Sequence, residues 1–176
     1  PPESKTLRSR DVKDDRAVDL VTNGNFEDGP HDFLNGSNGI LLPPSSLGHS
    51  PLPGWTITYI KPSKYIDSAH FSVPEGLKAV ELLSGRKSVL SQTVNTAPGK
   101  PYRLTFAVGD ARNACNGRLT VQATAGYKII KVPYESKGAG GFQTAELNFT
   151  AQSPNTLIAF ASWSNIKKSD NSGSLC

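Results

Sequence analysis

The segment YRLTFAV, residues 102–108, alternates polar or small residues with leucine, phenylalanine and valine. Successive side chains of a β-strand point to opposite faces, so this period of two predicts a strand with one buried face. The same alternation recurs at residues 119–123 and 157–161. A strand pattern at three separate places predicts a protein built from β-sheet.

Short strand patterns separated by turn residues continue along the chain. The candidate strands lie at residues 18–21, 55–60, 78–83, 88–94, 102–108, 118–125, 128–133, 144–149 and 156–163. The 16 Gly and 13 Pro supply turns between them. We predict an all-β fold, an antiparallel jelly-roll β-sandwich of about eight strands. The predicted core residues are Phe26, Trp55, Ile57, Val80, Leu82, Leu90, Leu104, Phe106, Val121 and Phe160.

Residues 1–17 show a different pattern, in which charges of both signs alternate without apolar periodicity. Such a segment cannot bury enough apolar surface to order itself, so we predict a linker or arm. A short helical turn at residues 11–16 is an alternative. The folded domain is expected to span residues 18–176.

The net charge of +4 falls entirely on the folded part. Residues 1–20 hold five basic and five acidic side chains, so 14 basic and 10 acidic side chains remain beyond them. A mild basic excess attracts polyanions weakly and at long range. The basic residues are scattered and match no nucleic-acid motif, which favours acidic polysaccharide over nucleic acid. No apolar run approaches the roughly 18 residues of a membrane span.

The two cysteines, Cys115 and Cys176, are an even count that allows one disulfide. We expect a secreted protein whose signal peptide has been removed, and an oxidising location would favour that bond. It would close a loop of 61 residues, worth roughly 4 kcal/mol in the chain-entropy model. Two buried free thiols are the alternative.

Motifs that carry chemistry are missing from the sequence. The three histidines lie in separate loops without ligand spacing, and neither a G-x-S-x-G nucleophile elbow nor a phosphate-binding glycine loop occurs. A glycosidase needs two convergent carboxyl groups, which spacing cannot show. The carboxylates nearest predicted strands are Glu27, Glu75, Glu81 and Asp110, and the favoured role for them is capping, turn bonding or ion binding. We therefore predict a protein that is not an enzyme.

Aromatic and basic side chains supply the candidate ligand site, because sugar rings present apolar C–H faces that pack against aromatic rings. Trp55, which heads a strand, is expected in the core, whereas Trp163 stands among polar residues and a basic pair. Both the loop after the strand at 102–108 and the segment 163–168 lie near the predicted disulfide, which would hold them together. The predicted ligand-binding residues are Asp110, Arg112, Trp163, Lys167 and Lys168.

Two glycosylation sequons are present. Asn35 lies in a long polar loop that could carry glycan in a secreted protein. Asn148 lies in a predicted strand, so its occupancy depends on which face its side chain takes.

The motif NGNFE at residues 23–27, followed by PGW at 53–55, resembles the opening of galactose-binding-like carbohydrate modules. Longer segments resemble the plant cell-wall domain of unknown function 642 (DUF642) family, and the similarity runs from about residue 20 to 176. These segments are GILLPP at 39–44, PLPGW at 51–55, KYIDSAHFSVPEGLKAVEL at 64–82, PGKPYRLTFAVGDARNAC at 98–115, KGAGGF at 137–142 and SGSLC at 172–176.

This resemblance implies a secreted protein with two tandem galactose-binding-like jelly rolls that associates with wall polysaccharide and with pectin methylesterase. The chain matches the second domain, and the last strand of the family is expected to be absent, which would leave an open sheet edge. In related jelly rolls the glutamate at the position of Glu27 helps bind a structural calcium together with an acidic residue of that last strand. No cofactor is expected to be required, and a structural calcium at Glu27 stays a candidate.

We therefore predict a secreted, non-catalytic module of the plant cell wall that binds wall polysaccharide, either pectin or hemicellulose. The alternative is a protein-interaction module that associates with a wall enzyme such as pectin methylesterase. The two hypotheses differ in their expected response to salt and in the role of the aromatic residues.

Overall fold

The structure, a computed structural model, describes residues 6–11, 14–31, 33, 39–45, 49–58, 63–83 and 88–163. These ranges contain twelve strands and no helix, so no helix in them could cross a membrane. The strands are β1 (Thr6–Asp11), β2 (Asp14–Asp19), β3 (Ile40–Leu42), β4 (Thr56–Ile57), β5 (Ser63–Asp67), β6 (Lys78–Glu81), β7 (Val89–Asn95), β8 (Pro101–Gly109), β9 (Asn116–Ala125), β10 (Lys128–Lys137), β11 (Phe142–Thr150) and β12 (Asn155–Ser162).

The strands form three antiparallel sheets. The four-stranded sheet has the order β11-β8-β1-β2, the five-stranded sheet β10-β9-β12-β7-β4, and the three-stranded sheet β3-β5-β6. From β7 onward the chain passes repeatedly between the two larger sheets, which is the connectivity of a jelly roll. The predicted fold class is confirmed. The described residues hold twelve strands rather than about eight, because short strands in the first half and an N-terminal pair add to the main ones.

The core lies between the two larger sheets. Alternate residues of β8 are buried, as the YRLTFAV pattern predicts, and Phe106 meets Phe160 of β12 edge-on with ring centroids 5.0 Å apart. Trp55 packs against Phe160 at 6.1 Å and against Phe26 at 5.2 Å. Seven of the ten predicted core residues are buried, and Val80, Leu82 and Val121 are partly buried against them. The core prediction is therefore largely confirmed.

The N-terminal segment differs from the prediction. Strand β1 pairs with β8 from Thr6↔Thr105 to Ser9↔Tyr102, and with β2 in a hairpin closed by Asp11↔Asp14. Residues 6–11 and 14–17 are therefore strand rather than helical turn, and the division into an arm over residues 1–17 and a domain over 18–176 stays a prediction. Strand pairing at a sheet edge uses backbone N–H and C=O groups, so it needs no apolar periodicity in the added strand.

Strand β10 is longer than predicted because it continues through Pro133 to Lys137. It lies at the edge of the five-stranded sheet, paired only with β9, and Pro133 lies opposite Thr120. A proline lacks the backbone N–H but is tolerated on an edge strand, where its missing donor faces away from the ladder.

Candidate functional site

The outward side of the five-stranded sheet, called here the outer face, presents alternate residues of β9, β10 and β12. Their neighbours in sequence, including Ala123, Val132 and Phe160, are buried on the inner side. Pairing places side chains in rows across the strands, one of which contains Lys131, Gln122 and Ala161. The outer face is thus an ordered surface.

Trp163 lies on the outer face just beyond β12, and its backbone N–H donates to the carbonyl oxygen of Thr120 at 2.9 Å. The side chain is 45% exposed, as the polar sequence around it suggests. The Lys131 ammonium nitrogen lies 4.0 Å from the centroid of the Trp163 ring. A cation over an indole is attracted by the ring quadrupole, by about 0.5–1 kcal/mol at an exposed site. The structure therefore places an aromatic ring and a positive charge together.

The rest of this end of the outer face is mainly basic and polar. Arg118 and Lys137 are exposed outward-facing residues, and Glu135 lies opposite Arg118 as the acidic member of the group. Lys131 adds a third cation. Three basic side chains against one acidic side chain give this surface a positive field that attracts anions.

Asp110 and Arg112 lie elsewhere, in the loop between β8 and β9. Asp110 is 2% exposed, its Oδ1 accepts the Arg112 backbone N–H at 2.8 Å, and its Oδ2 accepts the Gly140 N–H at 3.2 Å. Asp110 therefore positions two loops, and direct contact of this buried carboxylate with a ligand stays a prediction. Arg112 is exposed, with φ of 59°. A non-glycine residue with positive φ is strained, and the bond from Asp110 stabilises it.

A cavity of about 150 Å³ lies next to this loop and is lined by residues of all three sheets. Its walls include Phe106 and Phe160, and its polar lining includes Glu81 and Asn113, whose amide donates to the Glu81 carboxylate. The cavity lies at the loop end of the sandwich, and its lining also includes Thr120 and Ser162, next to Trp163.

Only Trp163 of the predicted segment 163–168 is among the described residues, so a surface shared with the loop after β8 stays a prediction. Trp163 lies beside Thr120, four residues from the start of β9 at Asn116, which corresponds to about 13 Å along the strand. Lys167 and Lys168 fall outside the described residues. Lys131 was not among the predicted ligand-binding residues. The alternation of polar residues in β9 and β10 nevertheless indicates which side chains of these strands face outward.

Glu27 has a structural task. Its Oε1 accepts the backbone N–H groups of Leu77 at 2.8 Å and Lys78 at 3.1 Å. A Cβ at Gly76, where φ is +67°, would lie 2.2 Å from that oxygen, so glycine is required there. An oxygen facing two N–H donors fits a hydrogen-bond acceptor rather than a calcium ligand, and the described residues contain no group of three His, Cys, Asp or Glu side chains suited to a metal. Oε1 of Glu27 is therefore occupied by two backbone donors, and a structural calcium at Glu27 stays a prediction.

Tyr65 has the strongest electrostatic perturbation in the described part of the chain. Its hydroxyl donates to the Phe26 carbonyl at 2.6 Å. Burial, followed by the nearby carboxylates of Glu27 and Asp28, raises the pKa of Tyr65 from 10.0 to about 12. The phenolate is disfavoured because it would be desolvated, would face negative charge and would lose its donated hydrogen bond.

This shift predicts alkaline destabilisation. The folded pKa of Tyr65 lies above its unfolded value, so its stabilising effect is complete below pH 10 and is lost as the pH rises from 10 through 12. Tyr65→Phe should lose about 1 kcal/mol at neutral pH with the hydrogen bond, and its stability should fall less over that pH range. Urea unfolding across the pH range measures both effects. A parent and variant with parallel alkaline profiles would contradict the assignment.

The cysteine and sequon predictions are only partly described. Cys115 is buried, and Cys176 falls outside the described residues, so their pairing stays a prediction. Asn35 also lies outside them. Asn148 is exposed on β11, where its amide donates to the Glu146 carboxylate at 2.7 Å. Its outward face leaves Asn148 accessible, and glycosylation stays a prediction.

Fold and surface together define a class: an antiparallel jelly-roll β-sandwich with an aromatic and basic outer face. The family described as "Protein of unknown function (DUF642)" matches residues 19–173. The chain therefore belongs to the DUF642 family.

Two relatives from Arabidopsis thaliana align with this chain over 158 residues. They are Protein DUF642 L-GALACTONO-1,4-LACTONE-RESPONSIVE GENE 2, at 48% identity, and Protein DUF642 L-GALACTONO-1,4-LACTONE-RESPONSIVE GENE 1, at 50%. The alignment covers 89% of this chain and 43% of each relative, so the chain spans less than half of their length. Among solved structures, TmCBM61 in complex with beta-1,4-galactotriose has a TM-score of 0.47 at 13% identity, covering 70% of this chain and 81% of that chain.

Proposed function

We propose that this chain is a non-catalytic module that binds acidic plant cell-wall polysaccharide, with pectin first and hemicellulose second, through its outer face. The observation that carries the proposal is the exposed Trp163 ring with the Lys131 ammonium 4.0 Å from its centroid. We place the module outside the cell, in the wall, as part of the same proposal.

The chemistry of a uronic-acid polymer matches this pair. The C–H face of the sugar packs on the indole and removes apolar surface from water, while the carboxylate pairs with Lys131. Thr120 and Gln122 lie on the same face and supply hydroxyl and amide groups for sugar hydroxyls. A neutral glucan offers the C–H face without the charge. Acidic polymer should accordingly bind more tightly.

A non-catalytic role is supported by the tasks of two candidate carboxylates. The carboxylates of Glu27 and Asp110 each accept hydrogen bonds from two backbone N–H groups, and they thereby stabilise loops. The outer face presents Glu135 rather than a facing pair of carboxyl groups. Hydrolysis of a glycosidic bond commonly requires such a pair.

Removing the ring should weaken retention of polygalacturonate. Trp163→Ala is expected to raise the dissociation constant about tenfold, equivalent to ~1.4 kcal/mol, because the stacking surface is lost. Isothermal titration calorimetry measures the change. Phe142→Ala is the matched control, since Phe142 is also an exposed aromatic residue but lies on β11 of the other sheet. Equal affinity of parent and Trp163→Ala would reject the site.

Charge and ring contributions can be separated by salt. Surface charge contacts are screened over a Debye length of about 8 Å at physiological salt, whereas stacking is much less sensitive. Lys131→Gln should flatten the salt dependence of polygalacturonate binding, and Trp163→Ala should preserve it. If the parent binds no wall glycan at either salt concentration, the carbohydrate-binding proposal fails.

The second candidate function is association with a wall enzyme such as pectin methylesterase. It is favoured by exposed apolar side chains at Ile129 and Leu157, which suit a protein contact. Retention of the enzyme by a parent that retains no glycan would support this function over the first.

A further inference from the structure

The outer face has a second end with a different character. At the turn between β9 and β10 and the start of β12, three large apolar side chains are exposed: Tyr127 at 54%, Ile129 at 58% and Leu157 at 48%. This group is called here the apolar end; Leu157 lies far from Trp163, whereas Ile129 lies one row, about 7 Å along β10, from Lys131. Single exposed apolar residues are common, but a group on one face marks a contact surface.

The two ends belong to one continuous surface. Ile129, Thr124 and Ala159 form one row across the strands, and Lys131, Gln122 and Ala161 form the next. Leu157 and Trp163 are six residues apart along β12, or about 20 Å. Between the two ends, β9 and β12 carry small or polar side chains on this face, and Val89 of β7 lies beside Ala161, which is 8% exposed. A linear chain can therefore lie along β12 and contact both ends.

We propose that this surface takes an extended, partly methyl-esterified polyuronate chain, a proposal that rests on the carbohydrate-binding function above. Free carboxylates bind at the Trp163–Lys131 end, and methyl esters lie against Ile129 and Leu157 at the apolar end.

Desolvation decides which groups fit each end. An ionised carboxylate placed against Ile129 and Leu157 loses hydration without gaining a partner, whereas an ester methyl buries apolar surface favourably. At the other end, Lys131 gains a charged partner only from an unesterified sugar. A polymer that carries both carboxylates and methyl esters can therefore bind favourably at both ends of the surface. A fully de-esterified or a neutral polymer can bind favourably at only one end.

The test compares polygalacturonate with partly methyl-esterified galacturonan by calorimetry. The parent should bind the esterified polymer about tenfold more tightly, a difference of ~1.4 kcal/mol. The variant Ile129→Ser with Leu157→Ser should lose that preference and keep the parent affinity for polygalacturonate. Leu77→Ser is the matched control, because Leu77 is an exposed leucine just before β6, outside the five-stranded sheet.

The possible outcomes distinguish a failure of the ester preference from a failure of the proposed carbohydrate-binding function. If the parent binds both polymers equally and Trp163→Ala weakens both, the carbohydrate-binding function stands and the ester preference is overturned. An unchanged preference in the double variant also overturns it. If the parent binds neither polymer, the function itself fails. Sedimentation velocity provides a further check, because self-association that the double variant abolishes would assign the apolar end to a second copy of the chain instead.

Discussion

Trp55→Ala is expected to destabilise the domain by about 3–5 kcal/mol, the largest effect of any substitution considered. Trp55 is fully buried among Phe26, Phe160 and the rest of the core, and its indole N–H donates to the Asn23 carbonyl at 3.0 Å. Truncation leaves a cavity in the core and removes one of the two hydrogen bonds that the Asn23 carbonyl accepts, the other coming from the Phe26 backbone N–H at 3.1 Å. For a protein of ordinary stability, a loss of this size removes much of the free energy of unfolding.

The two tryptophans provide their own control. Trp163→Ala should change the free energy of unfolding by less than about 0.5 kcal/mol, because its ring is a surface group. Trp55→Phe retains most of the packing and should fall between the parent and Trp55→Ala. Urea unfolding followed by far-ultraviolet circular dichroism measures all three variants. Similar losses from Trp55→Ala and Trp163→Ala would contradict the assignment of one ring to the core and one to the surface.

Asp110→Ala is expected to cost about 2–4 kcal/mol, because the backbone N–H groups of Arg112 and Gly140 lose their acceptor. The positive φ of Arg112 adds to the effect, since that bond helps hold a strained conformation. The substitution should also loosen the contact between the loop at 110–115 and the glycines before β11.

Asp110→Asn is a more conservative substitution that tests the same two hydrogen bonds to Arg112 and Gly140. It keeps one acceptor oxygen and introduces an NH₂ group facing an N–H, so its stability should lie between the parent and Asp110→Ala. Glu135→Ala, which removes an exposed carboxylate, serves as the control and should be near neutral. If Asp110→Ala unfolds at the parent's urea midpoint, the structural role is wrong and a role in ligand contact regains support.

The β-sandwich could be predicted because its signal is local. In β8 and β12 the apolar residues recur every second position, and a strand with one buried face requires that spacing. The N-terminal strand could not be predicted in this way. Pairing of β1 with β8 depends on backbone groups of a distant segment, which leave no mark on the side-chain pattern of residues 6–11.

The candidate site was predictable only in part. The polar neighbours of Trp163 made it a candidate contact residue but left its exposure open. Its partner Lys131 is remote in sequence and is brought near by the β9–β10 hairpin and the β9–β12 pairing. Asp110 shows the opposite case. An acidic residue in a loop next to a strand was assigned to the surface, whereas the tertiary contacts with Gly140 bury it.

The sequence by itself determined the fold class, most of the core and the family, because side-chain periodicity and contiguous motifs are properties of neighbouring residues. Only the tertiary structure showed that the Trp163 ring lies beside the Lys131 ammonium and that the Glu27 and Asp110 carboxylates stabilise loops. It alone also placed the apolar end and the basic residues on the same outer face. Those facts depend on strand order and register. Register places residues tens of positions apart in one row, and no local pattern in the chain specifies that row.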